Sequence, residues 1–229
     1  MIKDNLENIL EEINIAREKS PYKQDVQLIA VSKTHPEEAI NEAYACGIRD
    51  FGENKVQELC SKYDNLPKDI RWHLIGHLQT NKVKQVIGKV YLIHSVDSLK
   101  LAEEIEKQSA KAGLVTSILI QVNVSKEESK FGIETEDAAC LVKSISKMDH
   151  VKVRGLMTIA PAVDNPEEVR QFFRQLRNLS IDIDALKIDN IDMEFLSMGM
   201  SGDYKVAIDE GATMVRIGTD IFGRRSYNI

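Results

Sequence analysis

A single (β/α)8 barrel with one additional helix in front of it is the fold this sequence predicts, on three observations. Strand-like apolar runs and amphipathic helical stretches alternate eight times along the 229 residues. Such alternation implies parallel crossover units rather than hairpins, and eight of them close most simply into a barrel. Composition does not change between the halves, so one domain is expected over residues 1–229. The rival, an open doubly wound sheet, would place a G-x-G-x-x-G turn after the first strand, where VSKTHP holds no glycine.

Residues 1–20 are expected to form the added helix, which packs on the barrel. Leu6, Ile9, Leu10, Ile13 and Ala16 make one apolar stripe, and Pro21 ends it. The first strand is Val26–Lys33. Pro36 opens a helix to Ala45, with Glu37 and Glu38 at its positive end. Ile48–Phe51 is the second strand, and GENKVQEL begins the next helix. Arg71–Ile75 is the third strand, with a helix over Thr80–Ile87. Val90–His94 is the fourth, leading to a helix over Ser98–Ala112. Ser117–Val124 and Thr135–Lys147 make the fifth pair. Val151–Met157 is the sixth strand, and its helix carries Asn165 as cap, Pro166 at the first position and Glu167 and Glu168 in the first turn. Glu194–Met198, a short helix Asp203–Asp209, and Met214–Ile217 complete the series.

Composition narrows the function. A net charge of −6 disfavours broad binding to nucleic acid. No apolar run reaches the length of a membrane span, and MIKDNLENILEE lacks the features of a signal peptide, so a cytoplasmic protein is expected. Cys46, Cys60 and Cys140 are too dispersed for a zinc site or disulfide framework. His73 and His77 in HLIGH lack the glutamate of H-E-x-x-H, and Gly76 interrupts any helix there. No metal is expected.

In a barrel the chemistry gathers at the C-terminal ends of the strands. Lys33 ends the first. It is either a snorkelling lysine or a desolvated amine able to form a Schiff base with a carbonyl. SMGMSGDY after strand seven and RIGTDIFG after strand eight are small, polar and glycine-bearing. They suit either ordinary turns or a phosphate cradle, which this fold builds from these two loops. Arg216 is either a rim ion pair or a cation aimed into the mouth. Asn54 and His77 suit structural hydrogen bonding, and Met157 and Met198 suit core filling. A ligand bearing both an aldehyde and a phosphate would fit. Pyridoxal phosphate is the economical choice, and a phosphosugar held by a lysine aldolase fits as well.

Six segments, in order, carry a resemblance: IAVSKT (29–34), FGENKVQE (51–58), WHLIGHLQTNK (72–82), RGLMTIAP (154–161), LSMGMSGDY (196–204) and VRIGTDIFG (215–223). Together they resemble the pyridoxal phosphate homeostasis proteins, whose barrel is alanine racemase-like and of the fold-type III class. Lys55, where many members carry tyrosine, is a mild departure, as are Leu74 and Thr80. The resemblance implies pyridoxal 5'-phosphate held on Lys33 as an internal aldimine. It implies Ser201, Gly218 and Thr219 at the phosphate, Ser197 and Gly199 shaping that loop, and Arg216 by the pyridine nitrogen. Asn54, His77 and Met157 would line the ring and mouth. The implied role is cofactor storage and supply, without catalytic residues. Partners would be the cofactor itself and cofactor-requiring apoenzymes, and the protein would be a monomer. The alternative is an amino-acid racemase of the related fold. Its second base comes from a β domain across a dimer, which these residues do not supply.

Overall fold

The computed structural model describes residues 1–127 and 130–223. The last six residues of the expected domain, and residues 128 and 129, lie outside the described residues. Eight parallel strands form a closed barrel in sequence order: β1 (Gln27–Val31), β2 (Asp50–Glu53), β3 (Arg71–Leu74), β4 (Leu92–Val96), β5 (Thr116–Gln121), β6 (Val151–Met157), β7 (Ile191–Met200) and β8 (Met214–Ile217). Closure is the β1–β8 pairing, with Gln27 opposite Met214 and Ile29 opposite Arg216. The helices are α1 (Ile2–Lys19), α2 (Glu37–Ala45), α3 (Val56–Asn65), α4 (Val83–Val86), α5 (Leu99–Ala112), α6 (Thr135–Ile145), α7 (Arg170–Ala185), α8 (Tyr204–Asp209) and α9 (Thr219–Phe222). The expected barrel with an added helix is the fold observed.

The period-two alternation of the strands divides the core in two. Ile29, Leu92, Leu119, Met157 and Met214 face inward and fill the barrel, with Phe195 against them. Residues one position away, such as Leu28, Ala30, Phe51, Trp72 and Leu74, face the helices in a second, larger core. Burying such side chains contributes about 1.5–3 kcal/mol each before ordering entropy is subtracted.

Several boundaries differ from the sequence reading, for identifiable reasons. β2 runs two residues further than expected, through Gly52 and Glu53, which pair with His73 and Leu74. Gly52 is the inward residue there, and a Cβ on it would meet Ile29 Cγ2 at 3.0 Å. The glycine therefore makes room inside a strand rather than ending one. Asn165 does cap its helix, accepting from the Glu167 N–H, but Pro166–Val169 is a 3-10 turn before α7 begins. In α1 the buried stripe is Leu6, Ile9 and Ile13, while Leu10 lies exposed beside it.

α1 braces the barrel near its C-terminal end. Asn5 Nδ2 donates to the Ile221 carbonyl at 2.9 Å, and the Tyr204 hydroxyl donates to Glu12. The helix thus touches the segments that follow both β7 and β8.

Candidate functional site

The mouth of the barrel holds a cavity of about 390 Å³. β1 delivers Lys33 to it by simple alternation: Ile29 and Val31 face inward, Ser32 faces the helices, and Lys33 faces inward again. Six residues predicted from sequence line the cavity together, namely Lys33, Asn54, Ser201, Arg216, Gly218 and Thr219. Val31, His35, Ile75, Ile159, Met200 and Gly202 complete the wall. His35 stacks on the Phe222 ring, with centroids 4.9 Å apart and the planes inclined by 29°. Gly218 is held against β1: a Cβ there would stand 3.0 Å from the Val31 carbonyl oxygen.

The loop after β7 is closed on itself. Met200 N–H donates to the Asp203 carboxylate at 2.6 Å, and Asp203 N–H donates to the Met200 carbonyl at 3.0 Å. Burial raises the Asp203 carboxyl pKa against the pull of the Met200 N–H and of Arg216. Gly199 lies at φ +95°, and a Cβ on it would meet Ala207 Cβ at 2.6 Å. It shapes the loop from behind the cavity wall, and Ser197 likewise sits below the wall.

Arg216 forms the floor and is buried, with 4% of its surface exposed. Its Nη1 donates to Ser197 Oγ at 2.6 Å and its Nη2 to the Thr158 carbonyl at 2.8 Å. Burial lowers its pKa to about 10, opposed by the Asp203 carboxylate, so it remains a cation near neutrality.

Beneath Arg216 a chain of hydrogen bonds runs through the barrel. Ser197 Oγ is 2.9 Å from His94 Nδ1, His94 Nε2 is 2.9 Å from His73 Nδ1, and His73 Nε2 is 3.0 Å from Asp50 Oδ1. Asp50 is also gripped by Arg71 through both carboxylate oxygens. A carboxylate can only accept, so His73 Nε2 carries a proton, and with both buried imidazoles neutral the order of the other bonds follows. Ser197 donates to His94, His94 Nε2–H to His73, and His73 Nε2–H to Asp50. Each neutral ring then donates from Nε2 and accepts at Nδ1. Burial pushes both imidazole pKa values down, that of His94 well below its ordinary value. Burial also works to raise Asp50, but bonds from Arg71 and His73 hold its carboxyl well below the usual range.

Besides Gly199 and Ser197, two more predicted residues lie apart from the cavity wall. His77 is exposed and stacked on Phe131 at 4.1 Å. The reason is Gly76, where a Cβ would stand 2.2 Å from the Asn54 carbonyl oxygen. The backbone presses so closely there that Ile75 takes the inward position and the next side chain turns out. Met157 is wholly buried among the residues filling the barrel, below the mouth.

Sequence reading missed Asp50, His73 and His94 as a connected group, although their inward parity on β2, β3 and β4 was available as a signal. It also missed a cluster behind Lys33, in which the buried Lys62 of α3 meets Glu53 and Glu58. Burial raises the Glu53 carboxyl pKa, against the attraction of Lys62. Among the described residues, no group of three or more His, Cys, Asp or Glu could hold a metal ion. Nor, among the described residues, is any helix long and apolar enough to cross a membrane.

The sequence matches the family described as "Alanine racemase, N-terminal domain" over residues 5–226. A pyridoxal phosphate homeostasis protein of Aquifex aeolicus (strain VF5) is 48% identical over 227 residues, covering 98% of each chain. The chain belongs to the pyridoxal phosphate homeostasis protein family. The family member of Vibrio alginolyticus is 40% identical over 233 residues, covering 99% of each chain. Among solved structures, PipY of Synechococcus elongatus PCC7942 without PLP is similar at 38% identity and a TM-score of 0.87, covering 97% of this chain and 100% of that one. The same protein with PLP bound gives a TM-score of 0.83 over the same shares. An alanine racemase of Clostridium difficile 630 shares the fold, with a TM-score of 0.74 at 16% identity, over 98% of this chain and 58% of that one.

Proposed function

We propose that this protein is a single barrel domain, residues 1–229, that binds pyridoxal 5'-phosphate through a Schiff base on Lys33 and stores and supplies it in the cytoplasm. The observation that carries the reading is one cavity walled by an amine-bearing strand end, two polar loops and a buried cation. Lys33 would supply the amine, losing water as its nitrogen bonds to the aldehyde carbon. Ser201, Gly218 and Thr219 would hold the phosphate, since all three line the cavity and glycine and hydroxyl residues suit an anion. Asn54 Oδ1 is buried with no hydrogen-bond partner and belongs to the same wall, as expected of a group that orients a ligand. The PLP-bound structure of PipY supports the choice of ligand.

When bound, the cofactor would supply an electron sink whose strength depends on the pyridine nitrogen. Arg216 already donates to Ser197 and Thr158 and cannot accept a proton, so a ring nitrogen beside it would stay unprotonated and the sink weak. Two-base racemization also needs acid–base groups on opposite faces of the substrate. An additional candidate lining the cavity, His35, comes from the same loop as Lys33 and stacks on Phe222. These features support storage with little or no catalysis; in the role proposed, a monomer hands its cofactor to apoenzymes.

The test is the visible spectrum of the purified protein before and after borohydride, with Lys33→Ala alongside. A yellow band lost on reduction, and absent from the variant, is expected. A colourless protein that stays so with added pyridoxal phosphate would overturn the reading and favour a phosphosugar. Amino-acid racemization near about 10 per second, the turnover of an ordinary enzyme, would overturn the non-catalytic part.

A further inference from the structure

The sequence has a second lysine, this one buried, whose role the cofactor reading does not use. Lys62 lies on the barrel-facing side of α3, 6% exposed. Taking an ammonium out of water is costly, and an apolar side chain would fill the space between α3 and β2 without that cost. All three of its N–H groups have acceptors: the Ser32 carbonyl at 2.8 Å, Glu53 Oε1 at 2.7 Å and Glu58 Oε1 at 2.7 Å. With every donor taken, this amine serves to hold its neighbours rather than to attack a carbonyl.

The same acceptors grip the chain on either side of Lys33. Ser32 Oγ donates to Glu53 Oε1 at 2.7 Å, and the Thr34 N–H donates to Glu58 Oε1 at 2.6 Å. Thr34 is held at φ +67°, a left-handed conformation that a β-branched residue seldom adopts unless its surroundings impose it. The residue before Lys33 and the residue after it are therefore both tied, directly or through one carboxylate, to a single nitrogen. Lys33 itself, between them, points the other way, into the cavity.

We propose that Lys62, acting with Glu53 and Glu58, is the positioning residue for Lys33, holding its Cα so that the amine meets the ligand's carbonyl carbon. Lys62 touches neither cavity nor ligand; it acts through the backbone of Ser32 and Thr34. The inference rests on the Schiff-base reading and adds to it a determinant of how fast and how completely the bond forms. It separates two steps at one site, ligand capture by the loops after β7 and β8 and bond formation by the loop after β1.

Two probes separate these steps: pyridoxal phosphate, which carries the aldehyde, and pyridoxine 5'-phosphate, which has an alcohol in its place and can bind only non-covalently. The full-length apoprotein is compared as wild type, Lys62→Met, which keeps the stem and removes the donors, and Glu58→Ala, which cuts only the Thr34 arm. Borohydride trapping followed by peptide mass measurement reads the rate of bond formation at Lys33. In Lys62→Met that rate is expected to fall roughly tenfold or more, since a displacement near an ångström has effects of this order. The affinity for pyridoxine 5'-phosphate should stay within about twofold, as a group acting only on bond formation requires. Glu58→Ala should show the same split at smaller amplitude, and it decides the matter should Lys62→Met fail to fold. Equal losses in rate and in pyridoxine 5'-phosphate affinity would overturn the inference, making the cluster merely structural. An unchanged rate in the variants would overturn it as well. Wild-type protein that traps no label at Lys33 would instead overturn the Schiff-base reading on which the inference stands.

Discussion

Ser197→Ala removes one oxygen from the middle of the chain that links Arg216 to Asp50. The oxygen accepts from Arg216 Nη1 at 2.6 Å and lies 2.9 Å from His94 Nδ1, and Ser197 is wholly buried. Its loss leaves two buried groups short of a partner, one of them charged. A buried neutral group left unsatisfied costs about 1–3 kcal/mol and a charged one more, so the pair should cost about 3–5 kcal/mol. That is a large part of the roughly 5–15 kcal/mol by which domains are stable. At about 2–4 °C per kcal/mol for a chain of this length, Tm should fall by about 6–20 °C. Urea unfolding and calorimetry measure both quantities. Ser144→Ala is the control, because its exposed hydroxyl donates only to the Cys140 carbonyl and its loss should stay within about 0.5 kcal/mol. Nitrogen chemical shifts should meanwhile place the proton on Nε2 of both His73 and His94 in the wild type. A loss below about 1 kcal/mol, or a proton on Nδ1 of His94, would refute the directional chain.

Two further outcomes follow from the same interior. His73 and His94 have folded-state pKa values below their unfolded ones, so the unfolded chain binds more protons as pH falls through about 6.5, and stability is lost in that direction. Between pH 7.5 and 5.5 the loss should be on the order of 1 kcal/mol from His94, with a further contribution of the same sign from His73, measured by urea unfolding at the two pH values. Glu53 and Asp203, whose folded pKa values are raised, act in the opposite sense, so flat stability over this range in Glu53→Gln and Asp203→Asn backgrounds would refute the assignment. Gly155→Ala should prevent accumulation of folded protein, because φ is +145° and the new Cβ would stand 1.9 Å from the Phe195 carbonyl oxygen. Gly113→Ala, at φ +65° with open space around it, should cost only about 1 kcal/mol, and a thermal melt distinguishes the two.

The helical parts were legible where a local signal exists. Asn165 and Ser98 cap the helices that follow them because a short polar side chain at that position can reach a free backbone N–H. The extent of β2 was not legible: Gly52 looks like a turn residue until Ile29, 23 positions earlier, is known to occupy the space its side chain would need. Likewise, His77 reads as a mouth residue until the close pass of Gly76 over Asn54 turns it outward.

By itself the sequence determined the barrel and the residues at its rim. Alternating strand and helix periods specify parallel units, and strand parity specifies which side of the wall each residue takes. Lys33, Ser201, Arg216, Gly218 and Thr219 could be read because each sits at or just beyond a strand end, where local sequence fixes location. Only the tertiary structure decided what those residues lean on. The bond between His94 and Ser197 spans 103 positions, and that between Lys62 and Ser32 spans 30. A hydrogen bond needs its partners within about 3 Å, and no local periodicity encodes a distance between strands so far apart in the chain. Closure of the barrel supplies it, drawing inward residues of β2, β3, β4, β7 and β8 into one proton-ordered chain and pressing α3 against the loop that carries Lys33.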